Sequence, residues 1–301
     1  MTQFSRILAA VDFSRPARGA FDYALALSKK HQAKLAVIQA VPIGELFGSE
    51  GRERLDLAAE LRQRAADERV DFTYRVQHGD PADVILMHAL ALRADVIVVG
   101  AHQRTGFDRL VAGSVGERIA AKATVPVLVI PQTDPTSTEE PFRHVVVAVD
   151  FTPASEHAIE QAFAFARRPG DRITMLHVVD GSASGVPPHF YRYGGAEYER
   201  HLIQDARERL QLAALKKRRT SAIVHTRVLV GDPTTEIVRV ADSVGADLLV
   251  AGVPKRGVVS RALFGTTAAR LMRATPIPML AVPALGARIV EDKTDSAQLA
   301  A

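Results

Sequence analysis

The chain has 301 residues, with 38 lysines and arginines against 34 aspartates and glutamates, a net charge of +4, and 47% of its residues hydrophobic. That length supports two domains that each bury a core, and so mild a positive balance does not call for nucleic acid as a partner. There is no cysteine, which excludes disulfides and thiolate metal sites.

Residues 7–11, I-L-A-A-V, are apolar throughout and read as a first strand buried on both faces, ending at Asp12. Ser14 then caps a helix whose Ala20, Ala24 and Leu27 form a buried stripe. Residues 34–41 are a second strand that ends at Val41, before Pro42. A charged helix over residues 52–69 has Leu55, Ala58, Ala59 and Leu61 to bury, and residues 71–76 are a third strand. The turn His78-Gly79-Asp80-Pro81 opens a helix carrying Val84, Ile85, His88 and Leu92 at helical spacing. Next comes D-V-I-V-V-G, a strand delivering the chain to Gly100, and then a polar loop that ends at Gly113-Ser114. Val115, Ile119 and Lys122 follow at helical spacing, so Gly113-Ser114 lies at a helix start, where free N–H groups and the helix dipole favour an anion. The helix closes before Val125-Pro126, and residues 127–130 are a further buried strand, ended by Pro131.

The pattern then repeats. I-L-A-A-V-D-F-S returns as V-V-V-A-V-D-F-T, pairing Asp12 with Asp150, while Gly100, Gly113, Pro126 and Pro131 recur at one constant offset as Gly252, Gly265, Pro278 and Pro283. A duplication this long means two domains of one fold rather than a solenoid. The expected division is 1–131 for the first domain, 132–141 for a linker rich in Pro, Thr and acid, 142–284 for the second domain, and 285–301 for a polar tail. The second copy is longer in the middle, where residues 181–199 carry His189, Phe190, Tyr191, Tyr193 and Tyr198. Such a loop reads as a lid, as an oligomer contact, or as a loop packed on its own domain. Strands alternating with helices demand a parallel sheet, and strand order 3-2-1-4-5 places Asp12 and Gly100 at one crevice. The terminal apolar strands of the two copies, 125–130 and 277–282, are expected to meet in an intramolecular pseudo-dimer.

A strand ending in Asp, then G-x2-G-x9-G-[S/T] before a short helix and a V-P-V-L-V-type strand, resembles the universal stress protein family, here as a tandem pair covering nearly the whole chain. The resemblance implies an α/β fold of two open five-stranded parallel sheets, Rossmann-like, with helices on both faces. It also implies an adenine-nucleotide ligand such as ATP, with the glycine loop around the phosphates and the strand-one Asp near adenine or ribose. In the first copy the matching positions are Asp12, Val41, Gly100, Gly113, Ser114 and the main chain from Val115, and Arg104 in the loop adds a cation for the phosphates. In the second they are Asp150, Val179, Gly252, Gly265, Thr266 and Thr267, with Lys255 or Arg256 as the cation for the phosphates. The sequence departs from the pattern at the second glycine, which is Gln103 in one copy and Lys255 in the other, and a Cβ there narrows the backbone approach to phosphate.

Catalytic signatures are missing. There is no G-x-x-x-x-G-K-[ST], G-x-G-x-x-G, G-x-S-x-G or H-E-x-x-H, and the ten histidines show no paired metal spacing. A slow ATPase would have only Asp12 or Asp150 as a base. The leading expectation is therefore a nucleotide-dependent sensor or regulatory module of the stress response, and the alternative is a nucleotide-free scaffold working through protein partners. Mg²⁺ has a modest role in either copy, since no carboxylate stands by the phosphates. No run of about eighteen apolar residues or signal-like opening occurs, which points to a cytoplasmic protein without membrane contact. Further self-association of the pseudo-dimer into a homodimer is a separate expectation.

Overall fold

The computed structural model describes residues 4–12, 15–42, 51–101, 115–131, 142–166, 168–180, 195–216, 221–253 and 266–284. The first half runs β1 (Arg6–Ala10), α1 (Arg15–His31), β2 (Lys34–Val41), α2 (Gly51–Asp67), β3 (Phe72–His78), α3 (Pro81–Leu92), β4 (Val96–Gly100), α4 (Val115–Lys122) and β5 (Val127–Ile130). The second half repeats it as β6 (His144–Ala148), α5 (Pro153–Phe165), β7 (Arg172–Val179), α6 (Gly195–Leu215), β8 (Ile223–Val230), α7 (Pro233–Ser243), β9 (Leu248–Val253), α8 (Thr266–Ala274) and β10 (Met279–Pro283). The expected linker, the aromatic residues from His189 to Tyr193, the Ser14 cap and the polar tail lie outside the described residues.

All ten strands form one sheet in the order β3-β2-β1-β4-β5-β10-β9-β6-β7-β8. Within each half the pairing is parallel and the order is 3-2-1-4-5. The halves join where β10 runs antiparallel to β5, with Met279 opposite Val129, Leu280 opposite Leu128 and Ala281 opposite Val127. Composition explains why these two strands meet: every residue of both is buried, so each has apolar side chains on both faces and an edge unsuited to water.

Right-handed crossovers put α1 and α2 on one face of the first half and α3 and α4 on the other. Because the seam is antiparallel within the sheet, the second half keeps the same faces. One core therefore runs through both halves beneath α1, α2, α5 and α6, with Ile7, Ala20, Leu57, Val147, Ala158 and Leu210. The other runs beneath α3, α4, α7 and α8, with Leu8, Val84, Ile119, Leu249 and Leu271. The expected stripe of α1 is buried, but that of α2 is corrected. Leu55 is 72% exposed and Ala59 faces solvent, whereas Leu57, Ala58, Leu61 and Ala65 are buried. The helix has more small apolar residues than it can bury, and the face starting at Leu57 keeps the longer run at helical spacing. On α3, Ala89 rather than His88 completes the buried face.

An aromatic group crosses the junction of the halves. Phe142, just before β6, stacks on Tyr23 of α1 with centroids 5.6 Å apart and meets Phe165 of α5 edge-on at 5.3 Å. Phe4, the matching residue before β1, lies 5.4 Å from Phe165. Burial, with Asp247 as a second cause, pushes the Tyr23 hydroxyl above its usual pKa.

Candidate functional site

Parallel pairing fixes where the crevice of each half lies. Ala10 stands opposite both Ile38 and Val99, and Gly100 opposite Ile130, so β1, β2, β4 and β5 end together and Asp12, Val41 and Gly100 come to one end of the sheet. In the second half Ala148 stands opposite Leu176 and Ala251, which brings Asp150, Val179 and Gly252 to the corresponding end. This is the place where open α/β sheets bind ligands, outside the carboxyl ends of strands where their order reverses. α4 begins at Val115, directly after the sequence Gly113-Ser114, and α8 begins at Thr266, directly after Gly265. Val115 is 39% exposed and Thr267 is half-buried. Arg104, Gly113, Ser114, Lys255 and Gly265, with the side chain of Thr266, lie outside the described residues.

Several of the candidate residues already have partners. Asp150 Oδ1 accepts hydrogen bonds from Thr152, from its N–H at 3.0 Å and its hydroxyl at 2.6 Å. Thr152 in turn is the N-cap of α5, and its Oγ1 accepts from Ser155 N–H at 3.3 Å. Asp150 therefore organises the cap without being the cap. Gly252 makes a close approach: a Cβ built on it would lie 2.6 Å from the carbonyl carbon of Ala154 and from the nitrogen of Ser155. The first turn of α5 occupies that space, a packing role independent of any ligand. The carbonyls of Val41 and Val179 accept N–H bonds from Gly79 at 2.9 Å and from Gly231 at 3.1 Å, which leaves one lone pair on each for another donor.

Two further features at this end were not singled out from the sequence. Asp80 is the N-cap of α3, accepting from Asp83 N–H at 3.1 Å, and its two oxygens also take a bidentate pair from Arg118 of α4 at 2.7 and 2.9 Å. In the second half Asp232 caps α7 and is held by Arg270 of α8 at 2.9 and 3.1 Å. Each bridge ties together the N-termini of two helices that start at the crevice end. Gly79 and Gly231, with φ of +147° and +153°, permit the turn that sets up each aspartate. The Arg118 hydrogen bond holds the Asp80 carboxyl below its usual pKa, and the Thr235 N–H does so first for Asp232, with Arg270 contributing. The signal available in the sequence was repetition, since both Asp–Arg pairs recur at the offset of the glycines.

The second feature belongs to the second half. His177 Nδ1 donates to the Val149 carbonyl at 2.7 Å, which leaves its ring 4.7 Å from that of Phe151, and the Arg209 guanidinium lies 3.9 Å above Phe151. Phe151 has φ +61°, a conformation that costs energy for a bulky residue, and its ring packs between the His177 ring and the Arg209 cation. Among the described residues no group of three or more His, Asp or Glu could hold a metal ion, and no helix is long and apolar enough to cross a membrane.

The model of the universal stress protein family matches residues 3–131 and again 141–283, and the chain belongs to that family in tandem form. It is 26% identical over 255 residues to a universal stress protein of Mycobacterium bovis, covering 82% of this chain and 83% of the relative. A universal stress protein of Bacillus subtilis is 28% identical over 146 residues, 42% of this chain and 99% of the relative. The crystal structure of a universal stress protein from Archaeoglobus fulgidus superposes with a TM-score of 0.72 at 18% identity, covering 93% of this chain and 96% of that one, a likeness of fold.

Proposed function

We propose that the chain is an adenine-nucleotide-binding regulatory module of the stress response, with one crevice in each half and ATP as the expected ligand. The observation that carries this reading is the repeated convergence at each crevice: the ends of the first and fourth strands, with the starts of two helices tied by an Asp–Arg bridge. Helix starts offer unpaired N–H groups and a positive dipole end to phosphate. Asp12, half-buried at the end of β1, supports contact with a ribose hydroxyl or adenine amino group. The domains of this module are proposed at 1–131 and 142–284.

Calorimetry with ATP, AMP and GTP, with and without Mg²⁺, tests the reading. Preference for adenine nucleotides with a modest Mg²⁺ effect is expected, and equal affinity for all three would mean that the base is not read. Lys255 brings a cation that Gln103 does not, worth about 1.5–3 kcal/mol in a charge-assisted bond against about 1 for the N–H donor lost at Pro254. The second crevice is therefore expected to bind more tightly. Gly265→Val should lower affinity more than Gly113→Val, and the reverse would make the first crevice the working site. The contact of Gly252 with α5 favours a second reading, a nucleotide-free scaffold acting through protein partners, because it accounts for that glycine by packing alone. Mass spectrometry of small molecules released on denaturing the purified protein separates the two. Slow ATPase activity is the weakest reading, since Asp150 is already engaged by the Thr152 hydroxyl.

A further inference from the structure

The antiparallel seam brings the last turn of α8 against the first turn of α4. There Arg273 Nη1 donates to both carboxylate oxygens of Glu117, at 3.0 and 3.1 Å, and the Glu117 side chain is only 11% exposed. Glu117 is the third residue of α4, so its charge stands in the turn whose N–H groups point toward the first crevice. A carboxylate at that place favours the helix itself but opposes any anion bound at the helix start. Duplication supplies the comparison. The residue of α8 matching Glu117 is Ala269, and the residue of α4 matching Arg273 is Ala121, so this ion pair occurs on one side of the seam only.

We propose that Arg273, a residue of the second half, is an electrostatic positioning residue for the first crevice: it holds and neutralises Glu117 so that α4 can accept phosphate. The inference rests on the nucleotide reading given above. It means that the first crevice is completed by the other half of the chain, whereas the second has no corresponding requirement. Loss of the Arg273 charge at roughly 10 Å from a ligand charge of about −4 would weaken binding about threefold at ~0.1 M salt and about sevenfold at ~0.01 M.

The test titrates ATP into the full chain carrying Gly265→Val, which leaves the first crevice, and into the chain carrying Gly113→Val, which leaves the second. Lys255→Glu replaces the former background if Gly265→Val does not fold. Adding Arg273→Gln should weaken ATP binding by those factors in the first background and by less in the second, since the guanidinium is turned across the seam toward α4; an equal loss in both would overturn the inference. Adding Glu117→Gln to Arg273→Gln should restore affinity, a rescue that loss of mere packing would not produce. An unchanged titration with Arg273→Gln in the first background, or failure of Glu117→Gln to rescue, overturns the inference and leaves the nucleotide reading standing. Absence of ATP binding by the unaltered chain overturns both, and its absence from the first background alone overturns this inference.

Discussion

Replacing Gly252 by alanine probes the contact between β9 and the start of α5. The new Cβ would stand 2.6 Å from two backbone atoms of α5 and 2.9 Å from the Ala154 oxygen. Ordinary contact distances are about 3.5–4.0 Å, so strand and helix must separate by roughly 1 Å. Backbone cannot rotate away as a side-chain end can. α5 is also held along its length, with Ala154, Ala158, Ala162 and Phe165 all buried. Overpacking of this kind costs about 1–3 kcal/mol, and we expect the upper end. At about 2–4 °C per kcal/mol, Gly252→Ala should lower the melting temperature by roughly 6–12 °C in a circular-dichroism melt. Gly19→Ala is the control: its Cβ would meet only Ile130 Cγ2, at 3.6 Å, inside α1, and the change should stabilise by about 0.5–1 kcal/mol. A Gly252→Ala melt within about 1 °C of the unaltered protein would refute the packing role. Conversely, loss of ATP binding in this variant shows ligand contact only if the melt is preserved.

Asp80 and Asp232, whose pKa values are held down in the fold, contribute stability that is present above the unfolded value of about 3.9 and lost as pH falls through the folded values. Urea midpoints measured between pH 5 and pH 2.5 should therefore fall, and fall less when Asp80→Asn and Arg118→Gln are combined; an unchanged slope would show that the pair does not matter. Phe142→Ala, at a residue 1% exposed that touches aromatic rings from both halves, should cost about 3–5 kcal/mol in chemical denaturation. A loss below about 1 kcal/mol would mean that the junction repacks without it.

The architecture was legible because strands 7–11, 34–41 and 127–130 are apolar runs bounded by Asp12, Pro42 and Pro131, and because every feature appears twice. Even the seam was readable, since the terminal strand of each copy is apolar on both faces. The face of α2 was not, because Leu55 and Leu57 both fit a helical stripe and only the position of the sheet decides between them. At the crevice, sequence spacing located Asp12, Gly100 and their repeats but was silent on what else they touch. That Asp150 serves the α5 cap, and that Gly252 admits helix backbone, depends on contacts with residues distant along the chain or on local rotamers. Asp95 and Asp247 make the same point. Each opens a strand in the sequence, yet each carboxylate receives the backbone N–H groups that lead into the neighbouring first strand, Ser5 and Arg6 in one half and Arg143 and His144 in the other.

The joining of β5 to β10 within one chain has a consequence for how the two halves can change. In a dimer of identical subunits, each substitution at such a seam appears twice, once on either side of the axis, and both appearances must be tolerated together. Here the two sides are written separately. Glu117 and Arg273 face each other once, with Ala269 and Ala121 at the mirrored place, an arrangement that no symmetric pair could adopt. Covalent linkage also fixes the ratio of the halves at one to one and removes exchange of either half with a related subunit. One half can thus change at its crevice end while its twin is kept, a freedom that two copies of a single-domain chain do not have.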